Sequence, residues 1–206
     1  MRFIRFSGLY RQKQELQQLV QELEQSKKLI EKQNETLTLL ALHDDLTGLF
    51  NRRHLNTILE QEFYRSKRYG SDMALLMFDL DHFKNVNDTY GHAFGDVVLR
   101  EFARRIKKIS RPTNLAFRFG GEEFLILLPQ TGLAGGIQAG EHICRSCAAE
   151  LYTEGAVSIS VTTSVGVAAF QNDKPEEPHQ LIEMADKALY QAKDAGCNRV
   201  LAYAPS

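Results

Sequence analysis

Apolar residues recur at every seventh position in residues 9–41, a stretch that contains neither glycine nor proline. The fully apolar column consists of Leu9, Leu16, Leu23, Ile30 and Leu37. The companion column is half polar and consists of Gln12, Leu19, Ser26, Gln33 and Leu40. Such a pair of columns predicts a long helix in a parallel, dimeric coiled coil of modest stability. The alternative is a single amphipathic helix that packs on its own domain.

Beyond residue 42 the pattern changes to shorter helical repeats that alternate with short apolar runs. Helical spacing predicts helices near 52–69, 132–149 and 179–195, with caps at Asn51 and Thr131. A further helix is expected to start between Gly91 and Gly95 and to extend to Ile109. A short helix or turn is expected at 81–88 and a loop at 171–178. Apolar runs predict strands near 73–78, 115–119, 123–128, 157–161, 163–169 and 200–203.

This order of elements predicts an α+β fold, with a mixed, mainly antiparallel sheet flanked by helices and preceded by the long coiled-coil helix. We therefore divide the chain into an N-terminal coiled-coil segment, 1–42, and a globular domain, 43–206.

The composition narrows the range of functions. The chain has 206 residues, a formal net charge of −1 and no apolar run long enough to span a bilayer. A net charge near zero argues against nonspecific nucleic-acid binding. Three cysteines are too few for a disulfide framework and indicate a reducing compartment. We expect a cytoplasmic protein without a nucleic-acid partner and without membrane insertion of this chain.

Acidic residues stand at the ends of two predicted strands. Asp79 follows the apolar run 73–78, and Glu122 and Glu123 follow a pair of turn glycines. Carboxylates beside buried strands are costly unless a positive charge lies nearby. If the two strands are neighbours, Asp79 and Glu123 can share Mg²⁺, which favours oxygen ligands. The alternative is an ordinary surface hairpin with solvated acids.

Two further patterns have an ordinary structural interpretation. The basic residues of the helix that carries Phe94 and Ile109 are expected to form a solvated face. Cys144 and Cys147 have the spacing of a redox or zinc motif, but no second ligand pair accompanies them, so we interpret them as small, partly buried residues. The basic face comprises Arg100, Arg104, Arg105, Lys107 and Lys108.

The hairpin Gly120–Phe124 resembles the defining motif of the GGDEF family, the bacterial diguanylate cyclases. Other stretches resemble the family in the same order, and together the resemblance covers residues 43–203. These stretches are Asp44–Arg53, Asp79–Asp88 with Gly91, His92, Gly95 and Asp96, Ala185–Tyr190 with Ala192 and Lys193, and Asn198–Val200.

The resemblance implies a nucleotidyltransferase with the fold of nucleotide cyclases and polymerase palms. Two GTP molecules would be joined into cyclic di-GMP, with release of two pyrophosphates, in a homodimer formed through residues 9–41. Asp79, Glu123 and the Leu80 carbonyl would hold Mg²⁺, with Mn²⁺ possible. Glu122 would act on the 3′-hydroxyl as a base or as an orienting group.

The resemblance also implies a set of substrate-binding residues. Asn87 and Asp96 would read the guanine edge, and Lys84 and Lys193 would contact phosphates. The remaining members of this set are Phe83 and the two hairpin glycines, Gly120 and Gly121, which would let the backbone approach the nucleotide.

Two positions depart from the family pattern. Many members carry Arg-x-x-Asp as a product-inhibition site, where this chain has Arg111 and Asn114. We expect weak or absent product inhibition, because Asn lacks the charge that favours the guanine donors. Cys197 stands where many members have a phosphate-binding arginine, so we expect weaker GTP binding.

Two other functions compete with the enzyme. A binding module would hold GTP or the product without turnover, although the retained acids Asp79, Glu122 and Glu123 argue against it. A coiled-coil adaptor would have no use for the pocket residues.

Overall fold

The computed structural model describes residues 18–33, 38 and 41–204. It divides between Ala41 and Leu42 into two compact units. The two ends of the predicted heptad pattern, including Leu9, Leu16 and Leu37, lie outside the described residues.

The first unit contains a helix, α1, over residues 18–33. Three apolar heptad positions within it are exposed in the single chain: Leu19 by 64%, Leu23 by 70% and Ile30 by 56%. Exposed apolar side chains at this spacing leave a stripe that a second helix can cover.

The strands of the second unit form one large sheet and one small hairpin. Their bounds are β1 Phe50–Asn51, β2 Met73–Leu80, β3 Leu115–Gly120, β4 Glu123–Pro129, β5 Tyr152–Glu154, β6 Val157–Ile159, β7 Thr163–Ala169 and β8 Val200–Ala202. The large sheet has the order β1-β3-β4-β2-β7-β8, and β5 pairs with β6 separately. The pairs β2–β4, β2–β7 and β3–β4 are antiparallel, whereas β1–β3 and β7–β8 are parallel. This arrangement confirms the predicted α+β fold.

Helices cover both faces of the large sheet. Their bounds are α2 Arg52–Tyr69, α3 Phe83–Tyr90, α4 His92–Ile109, α5 Leu133–Ala149, α6 Phe170–Asp173 and α7 Pro178–Asp194. One apolar core lies between the sheet and α3, α4 and α5, and the other lies between the sheet and α2 and α7.

The central strand β2 is buried along its whole length. Its even-numbered residues belong to the core beneath α4 and α5, and Met73, Leu75 and Met77 belong to the core beneath α2 and α7. Burial on both faces explains the uninterrupted apolar run. By the same alternation, Asp79 lies on the α7 side of the sheet.

A glycine in β7 brings α7 close to the sheet. A Cβ on Gly166 would overlap the backbone of Ala185 and Leu189 in α7. Glycine at this position therefore lets the helix lie directly on the strand. This close packing sets the height of the α7 side chains above the sheet edge.

Several predicted boundaries were wrong in detail. The strand expected at 157–161 ends at Ile159 and pairs with β5, which was not predicted, through a turn in which Gly155 has φ +58°. The expected loop 171–178 contains most of α6. Thr131 does not cap α5, because its hydroxyl donates to the Pro129 carbonyl and Gly132 is the cap residue.

The prediction that the basic face of α4 is solvated was wrong at Arg105, because this residue is only 3% exposed. Its guanidinium donates to the carbonyls of Cys147, Glu150 and Leu151 at 2.8–3.1 Å. It also lies 3.9 Å from the ring centroid of Tyr152. The last carbonyls of a helix lack intrahelical partners, and arginine offers five donors to satisfy them.

Cys144 and Cys147 are buried and form no disulfide. Burial raises the pKa of each thiol to about 12, which favours the protonated, less nucleophilic form of both. Across the described residues, no helix is both long and apolar enough to cross a membrane.

Candidate active site

The register of β2 against β4 places Asp79 directly opposite Glu123. Directly opposed residues of antiparallel strands share a face, which here is the face covered by α7. Lys193, in the last turn of α7, places Nζ 2.7 Å from Asp79 Oδ2. Residues that are distant in sequence therefore meet at one edge of the sheet.

The charges around this edge are predominantly negative. Burial is the main cause that raises the pKa of Asp79, with Glu122 and Asp81 adding to it and Lys193 opposing it. Burial also raises the pKa of Glu123, assisted by Asp79 and Asp186. A group of carboxylates that disfavours its own ionisation is stabilised by an added cation.

The donor set at this edge fits a hard divalent ion. Among the described residues, Asp79 Oδ1 is buried and has no hydrogen-bond partner. Two carboxylates and the backbone carbonyl of Leu80 are oxygen ligands of the kind that Mg²⁺ prefers. No cluster of three or more His, Cys, Asp or Glu side chains suited to a metal occurs in the described part of the chain. The remaining ligands would come from substrate phosphates or water.

The hairpin between β3 and β4 needs its second glycine for backbone geometry. Gly121 has φ +50°, in the left-handed region that favours glycine. The ladder shifts register between Arg118 and Gly120, and a Cβ at Gly120 would meet no described atom within 4 Å. The turn is therefore open on its outer side.

A second group of predicted residues meets where α3 packs against α4. A Cβ on Gly95 would overlap Asn87 Oδ1 and come within 3.2 Å of Phe83 Cζ. Phe83 is buried, and Asp96 lies beside this group with its carboxylate 3.9 Å from Arg100. The predicted guanine-reading residues Asn87 and Asp96 are thus on adjacent helices, and Lys84 is exposed on α3.

Arg111 and Asn114 lie apart from both groups. They line a cavity of about 350 Å³ whose floor includes Leu76 and Ile126, on the opposite face of the sheet from Asp79. Asn114 donates its backbone N–H to the Arg111 carbonyl, which closes the turn between them. His142 and Arg145 also line this cavity.

Asp81 is a functional candidate to which the sequence prediction gave no role. This buried carboxylate accepts hydrogen bonds from Thr162 Oγ1, Ser164 Oγ and the Asn198 backbone N–H at 2.6–3.0 Å. It thereby fixes the loop that follows α7, which includes Cys197 at φ +61°. The sequence feature that could have identified Asp81 is its place as a second acid at the end of a buried strand, since a buried carboxylate needs hydrogen-bond partners.

Arg118 is a second residue that the prediction missed. Its guanidinium bonds both the Asp44 carboxylate and the Gly121 carbonyl. No local sequence pattern predicts the contact between Arg118 and Asp44, because the two residues lie 74 positions apart in sequence.

The sequence matches a known protein family. The family model for the diguanylate cyclase GGDEF domain matches residues 41–199. Diguanylate cyclase DgcP from Pseudomonas aeruginosa is 41% identical over 187 residues, which cover 91% of this chain and 28% of that protein. The chain is thus much shorter than this curated relative.

Solved structures show the same fold. The coiled coil and GGDEF domain of DgcB from Caulobacter crescentus, in complex with c-di-GMP, matches with a TM-score of 0.79 and 31% identity, covering 89% of this chain and 98% of that chain. Diguanylate cyclase SiaD from Pseudomonas aeruginosa, in complex with its activator SiaC, matches with a TM-score of 0.76 and 37% identity. The match covers 95% of this chain and 75% of that chain. The chain belongs to the GGDEF-domain family of diguanylate cyclases.

Proposed function

We propose that this chain condenses two molecules of GTP into cyclic di-GMP and releases two pyrophosphates. The observation that carries the proposal is the register that opposes Asp79 and Glu123 beside Lys193. The complex of the DgcB domain with c-di-GMP supports the same product class. Phosphoryl-type transfer depends mainly on positioning and charge neutralisation, which this edge of the sheet is suited to provide.

Asp79, Glu123 and the Leu80 carbonyl would hold Mg²⁺, with Mn²⁺ as an alternative. The unpartnered Asp79 oxygen supports this assignment, because a buried carboxylate oxygen without a donor is costly. When bound, the ion supplies positive charge that offsets the charge of the departing pyrophosphate.

In each half-reaction the 3′-oxygen of one GTP attacks the α-phosphorus of the other. The bond from that phosphorus to the β-phosphate oxygen breaks, and pyrophosphate leaves. Glu122 orients the attacking 3′-hydroxyl or accepts its proton. Its position on the hairpin, directly beside Glu123, supports this role.

The proposed substrate-binding residues come mainly from the two groups described above, one at the acidic edge of the sheet and the other where α3 packs against α4. Asn87 and Asp96 accept from the guanine N1–H and amino group, and Phe83 forms part of the same pocket. Lys84 and Lys193 contact the phosphates as point charges. The open outer side of the hairpin supports a close approach of the nucleotide to Gly120 and Gly121.

Each domain holds one set of these residues, so two domains must face each other to complete the reaction. The exposed stripe Leu19, Leu23 and Ile30 supports a homodimer through the N-terminal helix. Joining the domains in this way raises the effective concentration of one half-site near the other.

The two departures from the family pattern affect binding. Arg111 and Asn114 form a degenerate product-inhibition site, and we expect product binding there to be weak. Cys197 brings no positive charge to the loop after α7, so we expect GTP binding to be weaker than in an arginine-bearing relative.

One assay with a matched variant tests the catalytic assignment. The full chain is incubated with GTP and Mg²⁺, and the nucleotides are separated by chromatography. We expect cyclic di-GMP from the wild type, a loss of about 100-fold or more in Glu122→Gln, and no loss in Glu154→Gln, an exposed glutamate on β5. GTP that binds but is recovered unchanged would instead support a binding module, and absence of binding would support an adaptor.

A further inference from the structure

Arg118 bridges the hairpin and a turn near the start of the domain. Its Nε and one terminal nitrogen lie 3.1 and 2.9 Å from the Gly121 carbonyl oxygen. The other terminal nitrogen lies 3.1 Å from both carboxylate oxygens of Asp44. Both side chains are largely removed from solvent, at 17% and 22% exposure.

Asp44 is itself held firmly. It accepts hydrogen bonds from the Thr47 backbone N–H and hydroxyl at 2.9 and 2.7 Å. Backbone bonds between Asp44 and both Gly48 and Leu49 close the same turn. Burial tends to raise the pKa of Asp44, but the bonds from Thr47 and the charge of Arg118 outweigh it and lower the pKa. The guanidinium is therefore anchored to a rigid, ionised partner.

The Gly121 carbonyl is the atom through which the hairpin can be oriented. That carbonyl and the N–H and Cα of Glu122 lie in one peptide plane. The regular ladder is interrupted here, since the register shifts between Arg118 and Gly120. On the other side of Glu122, its carbonyl accepts a long bond of 3.4 Å from the Leu80 N–H. Two donors from Arg118 thus fix the plane from which the Glu122 side chain departs.

We propose that Arg118, anchored by Asp44, is a positioning residue that sets the orientation of Glu122. This inference rests on the proposed function, in which Glu122 acts on the 3′-hydroxyl. A misplacement of about 1 Å at a reacting group can lower a rate on the order of 100-fold. Arginine is required because only a planar fork can bond the carbonyl and the carboxylate together.

The test compares Arg118→Lys and Asp44→Asn with the control Arg65→Lys, which alters an exposed ion pair with Glu62 on α2. We expect Arg118→Lys to lower kcat about 10- to 100-fold while KM for GTP changes less than about twofold. Asp44→Asn should lower kcat less, and the double variant should lose no more than Arg118→Lys alone, since both act through one contact. Arg65→Lys should match the wild type.

Hydrogen exchange provides a second readout that does not require activity. Arg118→Lys should speed amide exchange at residues 119–124 while the rest of the domain and Tm change little. Unchanged kcat, or exchange that rises throughout the domain together with a lower Tm, would overturn the proposal. If the wild type makes no cyclic di-GMP, the proposed function fails. Exchange then decides the inference alone, because a local rise supports positioning of the Glu122 peptide and no rise contradicts it.

Discussion

At the scale of single residues, Gly95 leaves the space that the side-chain amide of Asn87 occupies. A Cβ at this position would overlap Asn87 Oδ1, and the side chain of Asn87 would have to rotate away. The backbone would tolerate the change, because alanine favours helix more than glycine does, by about 1 kcal/mol. The consequence should therefore appear in nucleotide recognition rather than in folding.

We predict that Gly95→Ala raises KM for GTP about tenfold or more while Tm stays the same or increases. The reason is that, in the proposed substrate site, Asn87 would no longer present its amide to the guanine edge, and a lost hydrogen bond in a binding site costs on the order of 1–3 kcal/mol. Steady-state kinetics and thermal unfolding measure the two effects. Ala93→Ser, at an exposed neighbour on α4, serves as the control, and unaltered KM in Gly95→Ala would remove Asn87 from the guanine site.

The acidic edge shows how far single-residue chemistry could be predicted. The cost of burying Asp79 and Glu123 was visible in the sequence, because each follows directly on an apolar run or a turn. The sequence did not reveal that Asp79 and Glu123 lie directly opposite each other, since this depends on which strands are neighbours and on the register of their pairing. Arg118 could not be found in this way, because its partner Asp44 is distant in sequence and no periodicity links them.

At the scale of elements, α4 and α5 are joined through one buried arginine. Arg105 satisfies carbonyls at the C-terminal end of α5, and Glu101 accepts from Arg105 at 2.9 Å and from Arg104 at 2.7 Å. Hydrogen bonds from Arg104 are the largest cause lowering the pKa of Glu101, to about 2. The ionised carboxylate is thus part of the contact between the two helices.

This pKa predicts a pH-dependent contribution to stability. The folded-state pKa of Glu101 lies below its ordinary value of 4.5, so its contribution is present above pH 4.5 and is lost as the pH falls toward about 2. We expect wild type to be more stable than Glu101→Gln near neutral pH, with the difference shrinking through this range. Chemical denaturation at several pH values measures it. A stability difference that is the same at pH 7 and pH 3 would contradict the assignment.

Elements with strong local signals were predicted best. β2 contains the apolar run 73–78 and β7 the run 165–169, and α2 begins after Asn51, whose side chain accepts from the His54 N–H as expected for a cap. In the β5–β6 hairpin, β6 was predicted and β5 was not, because each strand is three residues long and lacks an apolar run. Arg105 was assigned to solvent because the charge pattern of α4 carries no information about the carbonyls of α5.

At the scale of the whole molecule, the proposed reaction needs two chains. The exposed heptad residues Leu23 and Ile30 offer the means to bring them together. We predict that Leu23→Asn combined with Ile30→Asn weakens the dimer, because polar side chains at core positions lower coiled-coil stability. Cyclic di-GMP formation per chain should then fall at low protein concentration and recover as the concentration rises.

Val20→Asn is the matched control for this prediction. Val20 is also apolar and 47% exposed on α1, but it lies outside both heptad columns. Sedimentation equilibrium should show a wild-type dimer that Val20→Asn preserves. Equal weakening by the control and the heptad variant would indicate that the heptad column is not the interface.

The stoichiometry of the reaction with GTP and Mg²⁺ tests the proposed function most directly, and it is measured by quantifying each nucleotide and pyrophosphate. We expect two GTP to be consumed and two pyrophosphates to be released for every cyclic di-GMP formed, with no reaction when the metal is chelated. Recovery of GTP unchanged, or pyrophosphate release without cyclic di-GMP, would contradict it.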